Sequence, residues 1–341
     1  MSCNDDENKA NEGASLEPFS PEGREGKFMR YAGDPELTSA YDALLPYQGI
    51  QSFLRLPLQR DLDNVDIAVY GVPLDLATTN RPGARLGPRA IREQSLLLGG
   101  FSDPFPPHKR NLRNTMKMVD YGDLAFAPGY IDEMLKVAAM HIGRMVDNNT
   151  STLGLGGDHL IAYPAIKEHA RKHGPLSLIQ FDAHSDDSSI GSLNHGSMFW
   201  HACEEGLIDP TRSIQVGLRH TLPEHDFNVI HGHEVIDMKG TEIAERIREV
   251  VGDHPCYVSL DVDGMDPAFA PGTGTPVPGG MTSMQQRQAL WGLKGLNVVG
   301  ADVVEVAPPY DPTGQTANLA AGCAIDLMHV LAEARDMREK S

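Results

Sequence analysis

The chain has 341 residues, 40% of them apolar and 22% charged, an ordinary globular composition with room for one large domain or two ordinary ones. Acidic residues outnumber basic ones 47 to 29, for a formal charge of −18, and no Lys/Arg cluster could track a phosphate backbone, which excludes nucleic acid as a partner. No apolar run approaches the roughly 18 residues that span a bilayer, so no membrane partner is expected, and four scattered cysteines (Cys3, Cys203, Cys256, Cys323), none in a CxxC pair, read as reduced thiols.

Up to about residue 26 the chain is mostly Asp, Glu, Asn, Ser, Gly and Pro, with too few aliphatic side chains to offset the entropy of ordering, so residues 1–30 are expected to form a flexible acidic tail. Acids stand where a secretory signal carries bases, and a cytoplasmic location is expected. From Val65 the pattern alternates. Strands are predicted at Val65–Val72, Met116–Val119, Thr152–Leu155, Leu176–Phe181, Ser213–Val216, Tyr257–Leu260 and Val298–Val304. Between them helices are predicted near Pro88, over Ile131–Val146 and Tyr163–His173, after His195, over Glu242–Val251, near Gln285–Leu293 and from Thr316. No repeat or low-complexity linker interrupts this region, so residues 40–335 are expected to be a single α/β domain, a mostly parallel sheet covered on both faces by helices.

In such sheets ligands bind beyond the carboxyl ends of the strands. After Phe181 the chain reads Asp182-Ala183-His184-Ser185-Asp186; in an extended segment the three donor residues would share one face. After Leu260 it reads Asp261-Val262-Asp263, two carboxylates that repel unless a cation or proton neutralises them. Asp266, in a turn-forming stretch before proline, reads as a turn residue. After Thr152–Leu155 comes Gly156-Gly157-Asp158-His159, which fits neither phosphate-loop pattern and leaves His159 free to reach into a crevice. The pooled set is two imidazoles and four carboxylates: His159, Asp182, His184, Asp186, Asp261 and Asp263. Two ions sharing carboxylates suit that number of acids better than one. Hard oxygens with imidazole and no thiolate favour Mn2+, with Ni2+, Co2+ or Fe2+ able to fill the same shell. The reaction class is metal-assisted hydrolysis. His195 is a candidate acid/base group, and Glu305, at another strand end, a candidate partner for a planar cation such as guanidinium. His169 and His173, among Lys, Arg and Glu, are expected at the surface, and His231 and His233 in a loop.

These residues resemble the ureohydrolase family of arginases, agmatinases, guanidinobutyrases and relatives. The resemblance rests on Gly156-Gly157-Asp158-His159, Asp182 to Asp186, His195-Gly196, Ser259 to Pro276 and Asp302 to Pro308, in the family's order over roughly residues 45–335. Met198-Phe199 and Glu205 to Pro210 look closest to agmatinases, while Thr79 to Arg85 looks more like the guanidinobutyrase type. The resemblance implies a three-layer α/β/α arrangement, arginase-like, with two Mn2+ per chain (Ni2+ or Co2+ as alternatives) in a trimeric or hexameric homo-oligomer. It implies that His159, Asp182, Asp186 and Asp261 take one ion and that Asp182, His184, Asp261 and Asp263 take the other. A metal-activated water would attack the guanidinium carbon of a small guanidino substrate, oriented by Asp186. Glu305 would hold the guanidinium and His195 would pass a proton to the departing amine, leaving urea.

The chain departs from the family between Asp186 and His195, where Asp187 replaces the usual Thr and Asn194 the usual Asp. That loop borders the substrate tail, so Asp187 and Asn194 are expected to alter recognition of its far end. Gly217-Leu218-Arg219-His220 also lacks the acid with which arginases read an α-amino group, which disfavours arginine. Agmatine is the leading substrate; 4-guanidinobutyrate, 3-guanidinopropionate, and free or N-alkylated guanidine or biguanide are alternatives. A noncatalytic paralogue in a hetero-oligomer would have lost at least one of the six ligands, and none is lost. A deacetylase-like single-metal enzyme would need fewer acids.

Overall fold

Runs of apolar residues alternate between two faces of one sheet. In the computed structural model, which describes residues 46, 47, 49–99 and 107–340, the strands are β1 (Ile67–Val72), β2 (Met118–Asp123), β3 (Ser151–Gly156), β4 (Ser177–Phe181), β5 (Ile214–Leu218), β6 (Asn228–His231), β7 (Cys256–Asp261) and β8 (Val298–Val304). They lie in the order β2-β1-β3-β8-β7-β4-β5-β6, every pairing parallel. The expected tail over residues 1–30, and Cys3, lie outside the described residues. Cys203, Cys256 and Cys323 are free thiols.

The helices are α1 (Gly87–Gly99), α2 (Leu112–Thr115), α3 (Ile131–Asp147), α4 (Ala162–His173), α5 (Met198–Glu204), α6 (Gly232–Val235), α7 (Gly240–Val251), α8 (Ser283–Gly292) and α9 (Gln315–Lys340). Strand pleating sends successive side chains to opposite faces. Ile67 and Val69 join one core with Ile91 of α1, Ile247 of α7, Leu290 of α8 and Leu327 of α9. Ala68, Tyr70 and Val72 join the other with Met134 and Ile142 of α3, Ile166 of α4 and Phe199 of α5. The result is three layers, α/β/α. No described helix is long and apolar enough to cross a membrane.

Two expectations change. His231 ends β6 and His233 lies in α6 rather than in a loop. His169 is not on the surface: it is 1% exposed, and its Nε2 lies 2.8 Å from Thr152 Oγ1. It shares the buried stripe of Ala162, Ala165 and Ile166, so helical periodicity outweighed its charged neighbours. Asp266 does hold a turn, accepting from the N–H groups of Ala268 (2.9 Å) and Gly279 (2.7 Å).

The helical layer holding α8 and α9 is tied by Asp326, fully buried, which accepts from Arg287 Nε (2.7 Å) and Nη2 (3.0 Å) and faces His108 Nε2 at 2.7 Å. Burial pushes this carboxyl up, but His108 and Arg287 outweigh it and hold it below its ordinary value. A depressed carboxyl contributes stability above its unfolded pKa that is lost as pH falls through the folded one. Asp326→Ala is therefore expected to cost about 3 kcal/mol at neutral pH, since it strands the Arg287 guanidinium and removes the partner of His108 Nε2. Denaturant unfolding measures it, and the difference from wild type should shrink at low pH.

Candidate active site

The four adjacent strands β3, β8, β7 and β4 deliver the predicted residues to one edge of the sheet. Beyond β3, Asp158 caps a single helical turn, accepting from Leu160 N–H (3.1 Å) with one oxygen and from Ala77 N–H (2.9 Å) with the other. This turn seats His159 and docks the segment after Ala77. Beyond β7, Asp261 accepts from Asp263 N–H (2.8 Å), closing a turn that folds Asp263 back over the edge. The convergence of Asp182, His184 and Asp186 does not come from strand alternation, because β4 ends at Phe181. Asp186 instead adopts a left-handed backbone with φ of 50°, and Glu305 does the same beyond β8 with φ of 63°. Strained residues of this kind persist where the surroundings over-determine them.

The six candidates come together. His159 Nδ1 lies 2.8 Å from Asp186 Oδ2, 3.2 Å from Asp182 Oδ2 and 3.3 Å from Asp261 Oδ2. His184 Nδ1 lies 3.1 Å from Asp263 Oδ2 and 3.5 Å from Asp182 Oδ1. Two donor groups result, His159/Asp182/Asp261 and Asp182/His184/Asp263, each with ligand atoms within 4.8 Å of one another. Asp182 belongs to both. It is held by Gln180 Nε2 (2.8 Å) and by His184 N–H (2.7 Å).

Electrostatics shows what this cluster lacks. Burial pulls both imidazoles down, yet the surrounding carboxylates carry His159 well above its usual value and His184 to about 12. Burial and the neighbouring Asp182 charge push Asp186 up to about 6; burial with the charges of Asp263 and Asp182 raises Asp261, and burial with Asp182 raises Asp263. Asp182 alone is lowered, because His159 and His184 outweigh its burial. Carboxylates this close repel one another, and a cation among them relieves that repulsion. His159 Nδ1, ringed by three carboxylates, makes an aligned hydrogen bond with none of them. The residues fit divalent cations held by oxygen and imidazole.

Beside the cluster, Glu305 Oε1 accepts from His159 N–H (2.9 Å) and faces His195 Nδ1 at 2.9 Å. Its Oε2 is buried without a partner. Burial lowers the His195 imidazole, but Glu305 outweighs this and holds it above its usual value. Sequence reasoning missed Thr79, whose N–H donates to His195 Nε2 at 2.8 Å and whose Oγ1 lies at the same distance. Its segment is pinned by Asn80 to Gly274 O (2.8 Å) and by Arg81, which donates to Thr273 O (2.9 Å) and covers the Tyr310 ring at 3.8 Å. Nothing in the local sequence around Thr79 announces a contact with a residue 116 positions away.

Asp187 and Asn194 each have partners of their own. Asp187 is 0% exposed, and its carboxylate accepts from the N–H groups of Glu224 (2.8 Å) and His225 (2.7 Å) and faces His225 Nδ1 at 2.7 Å. Asn194 donates to Ser192 O (2.7 Å) and accepts from Gly196 N–H (2.8 Å), shaping the turn that presents His195. Asp187 thus ties its loop to the Glu224–His225 segment, and Asn194 sets the turn before His195. Asp187→Ala is therefore expected to raise KM by a similar factor for short and long substrates alike. A KM change confined to long-tailed substrates would instead assign Asp187 to the tail. Arg219 braces the Asp263 turn, donating to Asp263 O (2.6 Å) and Val277 O (2.7 Å).

Residues 65–330 match the arginase family. The chain is 44% identical over 296 residues to an agmatinase of Chromobacterium violaceum, covering 83% of this chain and 88% of that protein. It is similar to the crystal structure of a hypothetical agmatinase from Burkholderia thailandensis, with a TM-score of 0.82 and 44% identity over 87% of this chain and 94% of that one. It also resembles proclavaminate amidino hydrolase of Streptomyces clavuligerus, with a TM-score of 0.79 and 37% identity over 85% of this chain and 99% of that one.

Proposed function

The chain belongs to the arginase family, as an agmatinase-like ureohydrolase acting on guanidino compounds, and from that premise we propose that it cleaves agmatine to urea and an amine at a binuclear metal centre. The observation that carries this is the membership of Asp182 in both donor groups. His159, Asp182, Asp186 and Asp261 would hold one ion, and Asp182, His184, Asp261 and Asp263 the other. The donor set suits Mn2+, with Ni2+ or Co2+ as alternatives. When bound, such a pair supplies Lewis acidity and makes water nucleophilic near neutral pH.

The chain's own residues position and move the rest. Glu305 Oε2, buried and unpartnered, accepts an N–H of the guanidinium and fixes its carbon for attack. Asp186 accepts a hydrogen bond from the attacking water and orients it. His195, kept basic by Glu305, presents at Nε2 the lone pair on which Thr79 N–H donates, takes up a proton there and passes it to the departing amine, with Thr79 Oγ1 beside it to accept from the protonated nitrogen. The setting is a cytoplasmic homo-oligomer, trimeric or hexameric, which light scattering would measure.

A second reading is favoured by the Asp187 carboxylate, which is buried and taken up by Glu224 and His225 and so is not free to read a distal ammonium. It takes a guanidino acid or a free or N-alkylated guanidine or biguanide. Urea release by protein loaded with Mn2+ or Ni2+ separates the two, across agmatine, 4-guanidinobutyrate, 3-guanidinopropionate, arginine, guanidine and dimethylbiguanide. Highest kcat/KM on agmatine supports the first reading; activity only on the others supports the second. No urea from any of them, and no dimethylamine from dimethylbiguanide, contradicts both.

A further inference from the structure

Behind the His159 ring, on the side away from the cluster, lies a closed run of hydrogen bonds. His159 Nε2 is 2.8 Å from Ser259 Oγ, Ser259 Oγ donates to Asp302 Oδ1 at 2.7 Å, and Tyr257 OH donates to Asp302 Oδ2 at 2.8 Å. We infer that Ser259 and Asp302 are positioning residues for His159, fixing its ring hydrogen on Nε2 so that the Nδ1 lone pair is presented to the carboxylate cluster. The inference rests on the proposed role of His159 as a metal ligand.

Hydrogen inventory carries it. A carboxylate only accepts, and a serine hydroxyl has one hydrogen to give. Ser259 spends that hydrogen on Asp302, so toward His159 it can only accept, and Nε2 must be the donor. Nδ1 then faces Asp182, Asp186 and Asp261 as the free nitrogen once a cation replaces the proton there. Partners of this kind set the tautomer and orientation of a ligating imidazole. Ser259, Asp302 and Tyr257 are all buried, so bulk water does not compete. The edge of the ring is further set by Phe199, at 5.3 Å between centroids and 87° between planes.

The backbone is built to hold this arrangement. Ser259 stands opposite Asp302 in the β7–β8 pairing, and Asp302 opposite Gly154 in the β3–β8 pairing. A β-carbon at Gly154 would meet Asp302 Cβ and Tyr70 Oη at 3.1 Å each, so the glycine leaves room for the buried carboxylate.

Competitive titration of the full chain with Mn2+ against a fluorescent chelator tests it, with Ser259→Ala, Asp302→Asn and Tyr257→Phe. Ser259→Ala removes one atom, and Asp302→Asn is isosteric but lets the amide donate to Ser259, which frees the serine hydrogen for Nε2. Both are expected to weaken one of two ions about 10–100-fold and to leave the other nearly unchanged. Tyr257→Phe, which removes the hydrogen bond to Asp302 Oδ2 and keeps the Ser259–Asp302 link, should weaken the same ion less than either of the other two variants. Thermal unfolding of each metal-free variant reports any loss of folding. Equal weakening of both ions in Ser259→Ala, or wild-type affinity in both Ser259→Ala and Asp302→Asn, overturns the inference alone. A wild-type chain that binds fewer than two ions overturns the binuclear reading and the inference with it.

Discussion

Asp182→Ala is expected to lose both ions and to lower urea release more than about 10³-fold, roughly 4 kcal/mol of transition-state stabilisation at 1.36 kcal/mol per factor of ten. Its two oxygens lie 3.2 Å from His159 Nδ1 and 3.5 Å from His184 Nδ1, so a single truncation opens both donor groups. Asp263→Ala should behave differently. Of the two imidazoles Asp263 pairs with His184, at 3.1 Å, and it belongs to one donor group, so one ion should be lost while the other stays. Elemental analysis of each purified variant, beside its rate, reads the difference. Retention of both ions by Asp182→Ala would remove the shared carboxylate from the scheme.

His195→Ala should give the opposite pattern, with both ions retained and kcat lowered about 10²–10⁴-fold. The ring contacts Glu305 and Thr79 and none of the six metal-site candidates. Truncation also removes a partner from Glu305 Oε1, leaving only the His159 N–H there, so KM should rise as the carboxylate becomes free to turn. Thr79→Ala separates the two effects. It keeps the backbone N–H that holds Nε2 but removes Oγ1, so KM should stay near wild type while kcat falls. An unchanged kcat in His195→Ala would take the imidazole out of proton transfer.

Much of the architecture was legible because a parallel sheet buries both faces of its strands, and Val65–Val72 or Val298–Val304 then stand out as apolar runs. β6 escaped because an edge strand needs little burial, and of Asn228–His231 only Ile230 is buried. The metal-site candidates were legible as donors placed just after strands, but the reason they converge was not. Pleat alternation was the expected cause, whereas the chain uses left-handed backbones at Asp186 and Glu305 and a carboxylate-capped turn at Asp261. Asp187 and Asn194 look like recognition residues in a linear sequence, since nothing local shows that Glu224 and His225 already occupy the Asp187 carboxylate. Thr79 and the pairing of Ser259 with Asp302 are products of the fold alone, joining segments far apart in the chain.

The most direct measurement is an anomalous difference map from crystals of the wild-type chain grown with Mn2+. Two peaks are expected at the sheet edge, one bordered by His159, Asp182, Asp186 and Asp261, the other by Asp182, His184, Asp261 and Asp263. A single peak, or none among these residues, would contradict the binuclear centre from which the proposed chemistry proceeds.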